Sequence, residues 1–222
     1  MAIGRVAIAA QHVTLRTEDG LALAATWYEP SFRPASAVIL VHMLNRSRRD
    51  WEGVARRLTA EGIGALALDL RGHGESSGQA VADGGYESMV LDIKAARTFL
   101  AGRGEVAQTR VGIIGASIGA NLAALAASTD PSIASLALLS PSLDYRGLRI
   151  EAAVRKLGTR PVLLVASDDD PYALRTTRDL EKAGDGLREV LILTQAGHGT
   201  TMLARDPDLV RALVDWFRRT LL

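Results

Sequence analysis

A serine, a group of carboxylates and a histidine follow one another along this chain, each at the end of an apolar run, which is the order acyl transfer by a nucleophilic serine can use. Gly115-Ala116-Ser117-Ile118-Gly119 comes directly after the apolar run Val111–Ile114 and directly before a helix-forming stretch rich in alanine and leucine. In such a strand–turn–helix setting a serine sits on a tight turn with its hydroxyl exposed. The small residues around it answer a steric demand, because the turn brings backbone segments too close for larger side chains. A helix beginning at Ile118 aims free N–H groups and its positive dipole end at the point where an oxyanion would form, so the Ile118 N–H is a candidate donor. The bland alternative is a glycine-rich turn in which Ser117 only caps the helix. A dinucleotide-binding turn does not match, since Ser117 stands where G-x-G-x-x-G has its second glycine.

A nucleophilic serine needs a base, and the chain has only four histidines. His12 lies in an opening hairpin. His73 sits in a polar loop and is read as bonding backbone, and His42 ends a strand and is read as shaping the loop after it. His198, between Gly197 and Gly199, is the histidine downstream of Ser117 and is the candidate base, against a plain loop role. The base needs a carboxylate to hold its tautomer. Asp168, Asp169 and Asp170 follow the run Val162–Ala166, and Asp144 follows another strand end. Three adjacent aspartates cannot all point into one partly buried site. Pro171 suits a first helical position, which makes Asp170 a candidate helix cap as well as a candidate acid. Asp169 and Asp144 are its substitutes.

The elements that must position these residues alternate. Val38–His42, Ala65–Leu70, Val111–Gly115, Leu136–Leu139, Val162–Ala166 and Val190–Leu193 are short apolar runs of the kind covered on both faces in a parallel sheet. Helical lengths lie between them at Asp50–Glu61, Tyr86–Leu100, Ile118–Ser128, Pro171–Ala183 and Pro207–Leu222. Ahead of the series, Val13–Thr17 and Leu21–Tyr28 flank the turn Glu18-Asp19-Gly20. The expectation is an α/β fold: a three-layer sandwich whose mostly parallel sheet of about eight strands is opened by an antiparallel hairpin. With no linker or repeat in 222 residues, residues 1–222 form one domain. Ligands in such sheets bind outside the carboxyl ends of the strands, where the serine, carboxylates and histidine gather.

Composition removes several classes of function. The 26 basic and 25 acidic residues nearly cancel, so no large basic excess exists to neutralise nucleic-acid phosphates. The absence of cysteine rules out disulfides, thiolate metal sites and a cysteine nucleophile. No run is long and apolar enough to span a membrane, and Val6–Ala10 is too short for a signal sequence and reads as a first edge strand, which makes a cytoplasmic location the expectation. Apart from Lys94, Lys156 and Lys182 the basic residues are arginine, a bias of GC-rich bacterial genomes. A metal-dependent hydrolase using His42 and His73 finds no supporting ligand cluster.

Taken together, the segments Val38–Asn45, Leu66–Gly78, Val111–Leu125, Pro161–Tyr172 and Gln195–Thr200 resemble the α/β-hydrolase superfamily, in particular small serine esterases akin to the dienelactone-hydrolase branch, over essentially the whole chain. The resemblance selects Asp170 as the triad acid, by its position in the segment Ser167-Asp168-Asp169-Asp170, and His198 as the base. It implies that the Leu44 N–H completes the oxyanion hole with Ile118, with Met43 the substitute donor. This chain has Met43 where the family commonly has glycine, and Ser117 where dienelactone hydrolases carry a cysteine. It further implies hydrolysis of a small-molecule ester through an acyl-enzyme, with no metal or cofactor. Same-fold amidases, peptidases and thioesterases share that chemistry, and a non-catalytic binding protein of this fold is the reading from outside enzymology. Only about 20 residues separate the strand ending at Ser140 from the next, room for one short helix and no large cap. The site should therefore be open, suited to short acyl groups, and lined by Met43, Leu44, Ile118, Leu143, Tyr145 and Tyr172, with the Glu75–Gly85 loop as another cover. Monomer and homodimer both remain compatible with the sequence.

Overall fold

The computed structural model describes residues 10–30, 33–79 and 85–222. The edge strand expected at Val6–Ala10 falls outside them except for Ala10, and so does part of the Glu75–Gly85 loop.

Strands β1 (Ala10–Arg16) and β2 (Ala22–Tyr28) form the antiparallel hairpin, closed by the Thr17 N–H to Leu21 carbonyl and Gly20 N–H to Thr17 carbonyl bonds, both 3.0 Å. Gly20 supplies the positive φ of 88° that this turn requires. Strands β3 (Ala35–Val41), β4 (Gly64–Leu68), β5 (Val106–Ala116) and β6 (Ile133–Leu139) follow, then β9 (Val162–Ser167) and β10 (Arg188–Leu193). They form one eight-stranded sheet in the order β1-β2-β4-β3-β5-β6-β9-β10, in which β2 meets β4 antiparallel and every pair beyond is parallel.

The continuous apolar runs belong to strands buried on both faces. In β3, Ile39 and Val41 enter one core cluster while Val38 and Leu40 enter the other. Helices α2 (Val90–Ala101), α3 (Ile118–Thr129), α4 (Glu151–Lys156) and α5 (Pro171–Glu181) cover the first face. Helices α1 (Glu52–Ala60), α6 (Met202–Arg205) and α7 (Pro207–Leu221) cover the second. The expected helix at Asp50–Glu61 starts as a tighter 3-10 turn, Arg48–Trp51. Helix α7 illustrates how sequence sets an element. Asp206 caps it by accepting the Asp208 and Leu209 N–H groups (2.9 and 3.1 Å), and Pro207 occupies the first position, where no N–H partner is missed. Leu209, Leu213, Val214, Trp216, Phe217 and Leu221 then recur on one buried stripe. Truncating the buried Phe217 to alanine is of the class that costs about 3–5 kcal/mol.

Residues 141–160 hold α4, as the sequence allows, and also a small hairpin of β7 (Asp144–Tyr145) and β8 (Leu148–Arg149). Asp144 is committed to that hairpin: it accepts the Gly147 N–H (2.7 Å) and the Arg149 Nε–H (2.9 Å) on the exposed surface. The hairpin is held down by the buried Asn121 of α3, whose Nδ2 donates to the carbonyls of Ser142 and Leu148 (2.8 Å each) and whose Oδ1 accepts the Ser142 N–H (3.0 Å). No larger cap covers the sheet edge among the described residues, and no helix among them is long and apolar enough to cross a membrane.

Candidate active site

Ser117 is the single residue between β5 and α3, and it adopts φ 52°, ψ −120°. A side chain in that region is strained by about 1–3 kcal/mol, so the surroundings must impose it. Two backbone bonds do so: the Ser117 N–H donates to the Leu139 carbonyl (2.8 Å), and the Ser117 carbonyl accepts the Ala120 N–H (2.9 Å). The flanking glycines have the steric cause the sequence suggested. A Cβ on Gly115 would collide with the Gly119 backbone, and one on Gly119 would lie 2.5 Å from the Val41 carbonyl oxygen and 2.7 Å from that of His42. Gly119 thus lets the start of α3 press against the end of β3, which brings the residues after His42 beside the serine. Ile118, as the first residue of α3, has an N–H with no partner inside the helix.

His42 governs the loop after β3. It is fully buried, its Nδ1 bonds the Met43 carbonyl (2.7 Å), and its Nε2 accepts the Leu70 N–H (3.0 Å). That pairing assigns the proton to Nδ1. Burial pushes its pKa down to about 4. Because Met43 and Leu44 share a trans peptide, fixing the Met43 carbonyl also fixes the direction of the Leu44 N–H. Met43 lies against Gly199, where an added Cβ would strike its sulfur, and Leu44 packs on the cluster under α2 and α3. His73 bonds the Arg71 carbonyl through Nδ1 (2.9 Å), its ring centroid 5.2 Å from that of His42. With both nitrogens engaged, His42 is not free to ligate a metal, and no group of three or more His, Asp or Glu side chains among the described residues could hold one.

His198 stands at the opposite side of Ser117's strand end, in extended backbone before the 3-10 turn Gly199–Thr201. Its Nδ1 meets Asp170 Oδ2 at 2.5 Å. The imidazole is about half exposed, at 48%, and the carboxylate 16%. A carboxylate on Nδ1 keeps the proton there and leaves Nε2 as the basic nitrogen. The other oxygen of Asp170 accepts the Ala173 N–H (3.1 Å) and caps α5.

The other two aspartates of the triplet serve the loop that presents His198. Asp168 Oδ1 accepts the Gln195 N–H (2.7 Å). Asp169 Oδ1 accepts the Gly197 N–H (2.9 Å) and the Ser167 hydroxyl, and the hydroxyl first, then the N–H, hold its carboxyl below the usual range. The structure therefore brings Asp170 to His198, and neither Asp169 nor Asp144. Three further ties were not assigned from the sequence. Ser167 Oγ accepts the Ala196 N–H (2.8 Å), Thr201 Oγ1 accepts the His198 N–H (3.1 Å), and Ser140 Oγ accepts the Gly199 N–H (3.0 Å). Their signal was position alone, since Ser140 and Ser167 close apolar runs.

Of the expected lining, Leu143 and Tyr145 pack on the core cluster under α2 and α3, with Tyr145 edge-on to Tyr86 at 5.9 Å. Tyr172 is exposed, two residues beyond Asp170. A cleft of about 480 Å³ opens behind the His198 loop, lined by Arg46, Asp50, Thr200, Thr201, Leu203 and Arg205 among others.

A family model described as serine aminopeptidase, S33, matches residues 33–214. Two uncharacterized proteins of Mycobacterium tuberculosis are each 29% identical to this chain over 236 residues, spanning 96% of it and 79% of themselves. Among solved structures, an esterase of Pyrococcus furiosus superposes with a TM-score of 0.77 at 20% identity, covering 97% of this chain and 94% of its own. A dienelactone hydrolase of Anabaena variabilis gives 0.80 at 18% identity, with 97% and 99% covered. At these identities the two structures establish likeness of fold.

Proposed function

The chain belongs to the serine aminopeptidase S33 family, a hydrolase of the α/β fold, and from that premise we propose that it is a serine carboxylesterase acting on short-chain esters. The observation that carries the reading is the 2.5 Å contact of Asp170 with His198, on the same sheet edge as a strained, glycine-flanked Ser117.

In this reading Ser117 Oγ attacks the ester carbonyl carbon while His198 Nε2 takes the hydroxyl proton. The carbonyl oxygen becomes an oxyanion that accepts from the N–H groups of Leu44 and Ile118; one such donor is worth about 3 kcal/mol of barrier. Collapse of the tetrahedral intermediate breaks the bond to the alcohol oxygen, which leaves with the proton from His198, and Ser117 retains the acyl group. Water then gives a proton to His198 and attacks the acyl carbon. The second collapse releases the carboxylic acid and returns the proton to Ser117. Asp170 stabilises the imidazolium formed in each half.

The half-exposed His198 and the short cover at residues 141–160 support small acyl groups, with Met43, Leu143, Tyr145 and Tyr172 as the apolar surroundings. The family's description favours a second reading, cleavage of an amide at a peptide amino terminus, which uses the same steps with an amine as leaving group. The deciding experiment is hydrolysis of p-nitrophenyl acetate, butyrate and octanoate, with amino-acid p-nitroanilides beside them, by wild type and Ser117→Ala. Ester turnover that falls with chain length and vanishes in the variant supports the proposal. Turnover of the anilides alone favours the peptidase reading, and turnover surviving in Ser117→Ala overturns the nucleophile assignment.

A further inference from the structure

Ser140 follows β6 and is fully buried, with φ 49°. Glycine would occupy that backbone without strain, so a serine kept there brings a cost and one group, its hydroxyl. The hydroxyl oxygen accepts the N–H of Gly199, the residue after His198, at 3.0 Å. Immediately before it, the Leu139 carbonyl accepts the N–H of Ser117 at 2.8 Å. Ser140 is itself anchored, its N–H donating to the Val165 carbonyl of the next strand (2.8 Å). Two consecutive residues therefore grip the backbone of the serine with one group and the backbone of the histidine loop with the next.

The loop's other ties have different anchors. Gln195, Ala196 and Gly197 bond to Asp168, Ser167 and Asp169 at the end of β9, Thr201 bonds back to His198, and Thr200 bonds Asp50. Those contacts fix the loop against β9 and against the segment before α1. The Gly199 bond refers it to the strand beside the nucleophile.

We propose that Ser140 is a positioning residue that sets the spacing between Ser117 and His198, a role that rests on the acyl-transfer reading above. Without the hydroxyl, the Gly199 N–H loses its acceptor and the loop loses its reference to β6. A displacement of about 1 Å between reacting groups can cost about 100-fold in rate.

The test compares wild type with Ser140→Gly, which suits the backbone, and with Ser140→Cys, which keeps a weaker acceptor. For Ser140→Gly the expected result is a kcat on p-nitrophenyl acetate lower by about 10- to 100-fold. KM and melting temperature stay near wild type, and hydrogen exchange at the Gly199 amide becomes faster. Ser140→Cys should recover part of the lost kcat, which a loss of packing alone would not predict. Retention of wild-type kcat by Ser140→Gly, or a loss in kcat that tracks a loss in melting temperature in both variants, overturns the role. A wild-type protein that neither turns over the esters and anilides nor reacts with a fluorophosphonate overturns the acyl-transfer reading, and this role with it. An active wild type beside an equally active Ser140→Gly overturns this role alone.

Discussion

Asp170 meets His198 with one carboxylate oxygen, at 2.5 Å, while its other oxygen caps α5 through the Ala173 N–H at 3.1 Å. Capping α5 and holding His198 are alternatives when read along the sequence, and in space they are one arrangement. Because α5 begins at the carboxyl end of β9, a cap residue there already stands on the sheet edge that carries the serine. The capping bond limits the carboxylate's rotation, so the oxygen facing His198 is oriented by the helix.

The two jobs separate by substitution. Asp170→Asn keeps an oxygen for the Ala173 N–H but removes the charge and the certainty of the imidazole tautomer. Its kcat on p-nitrophenyl acetate should fall by about 10⁴-fold with the melting temperature nearly unchanged. Asp170→Ala should lose as much activity and in addition about 1 kcal/mol of stability, because the cap goes too. Thermal unfolding beside steady-state kinetics checks both, and equal stability in the two variants would remove the capping role.

His42 makes folding sensitive to mild acid. Its folded pKa lies at about 4 against an ordinary 6.5, with burial the largest cause, so it is the depressed case. Between those values the unfolded chain binds a proton that the folded protein refuses. The stability present above pH 6.5 is therefore lost as the pH falls toward 4, amounting to about 2.5 kcal/mol by about pH 4.5. Urea unfolding near neutrality and at about pH 4.5, for wild type and His42→Gln, isolates this contribution, since the carboxylates titrate in both proteins. Wild type should lose more stability on acidification than the variant; equal losses would contradict a buried neutral imidazole.

The residues of the candidate site stood out in the sequence because they end apolar runs. Ser117 is marked by glycines between an apolar run and a helix, and His198 by lying downstream of it. Asp170 was not separable from Asp168 and Asp169 by the residues alone, because the three share one local context. What distinguishes them is the returning loop, whose Gln195 and Gly197 N–H groups occupy the first two. The eight-stranded sheet was legible from apolar runs, whereas β7 and β8, two residues each, are too short to show any period. The bond from Gly199 to Ser140 spans 59 positions, and no local pattern pairs a buried hydroxyl with an N–H at that distance.

The strain at Ser117 is a stability cost attached to the proposed nucleophile, and replacing the residue exposes it. At φ 52°, ψ −120° a glycine sits comfortably, while serine and alanine both carry a Cβ into a region that disfavours it. Ser117→Ala removes the hydroxyl and keeps the strain, so its melting temperature should stay close to wild type. Ser117→Gly removes both. Relief of about 1–3 kcal/mol of strain, less the about 0.5–1 kcal/mol that glycine's greater chain entropy costs, leaves a net gain of about 1 kcal/mol. For a domain of this size that corresponds to a rise of about 2–4 °C. Calorimetry on the three proteins reads the difference between Gly and Ala directly, free of any contribution from the hydroxyl. A Ser117→Gly protein no more stable than Ser117→Ala would mean that the turn accommodates a side chain at no cost, and that the Leu139 and Ala120 bonds are not holding it against strain.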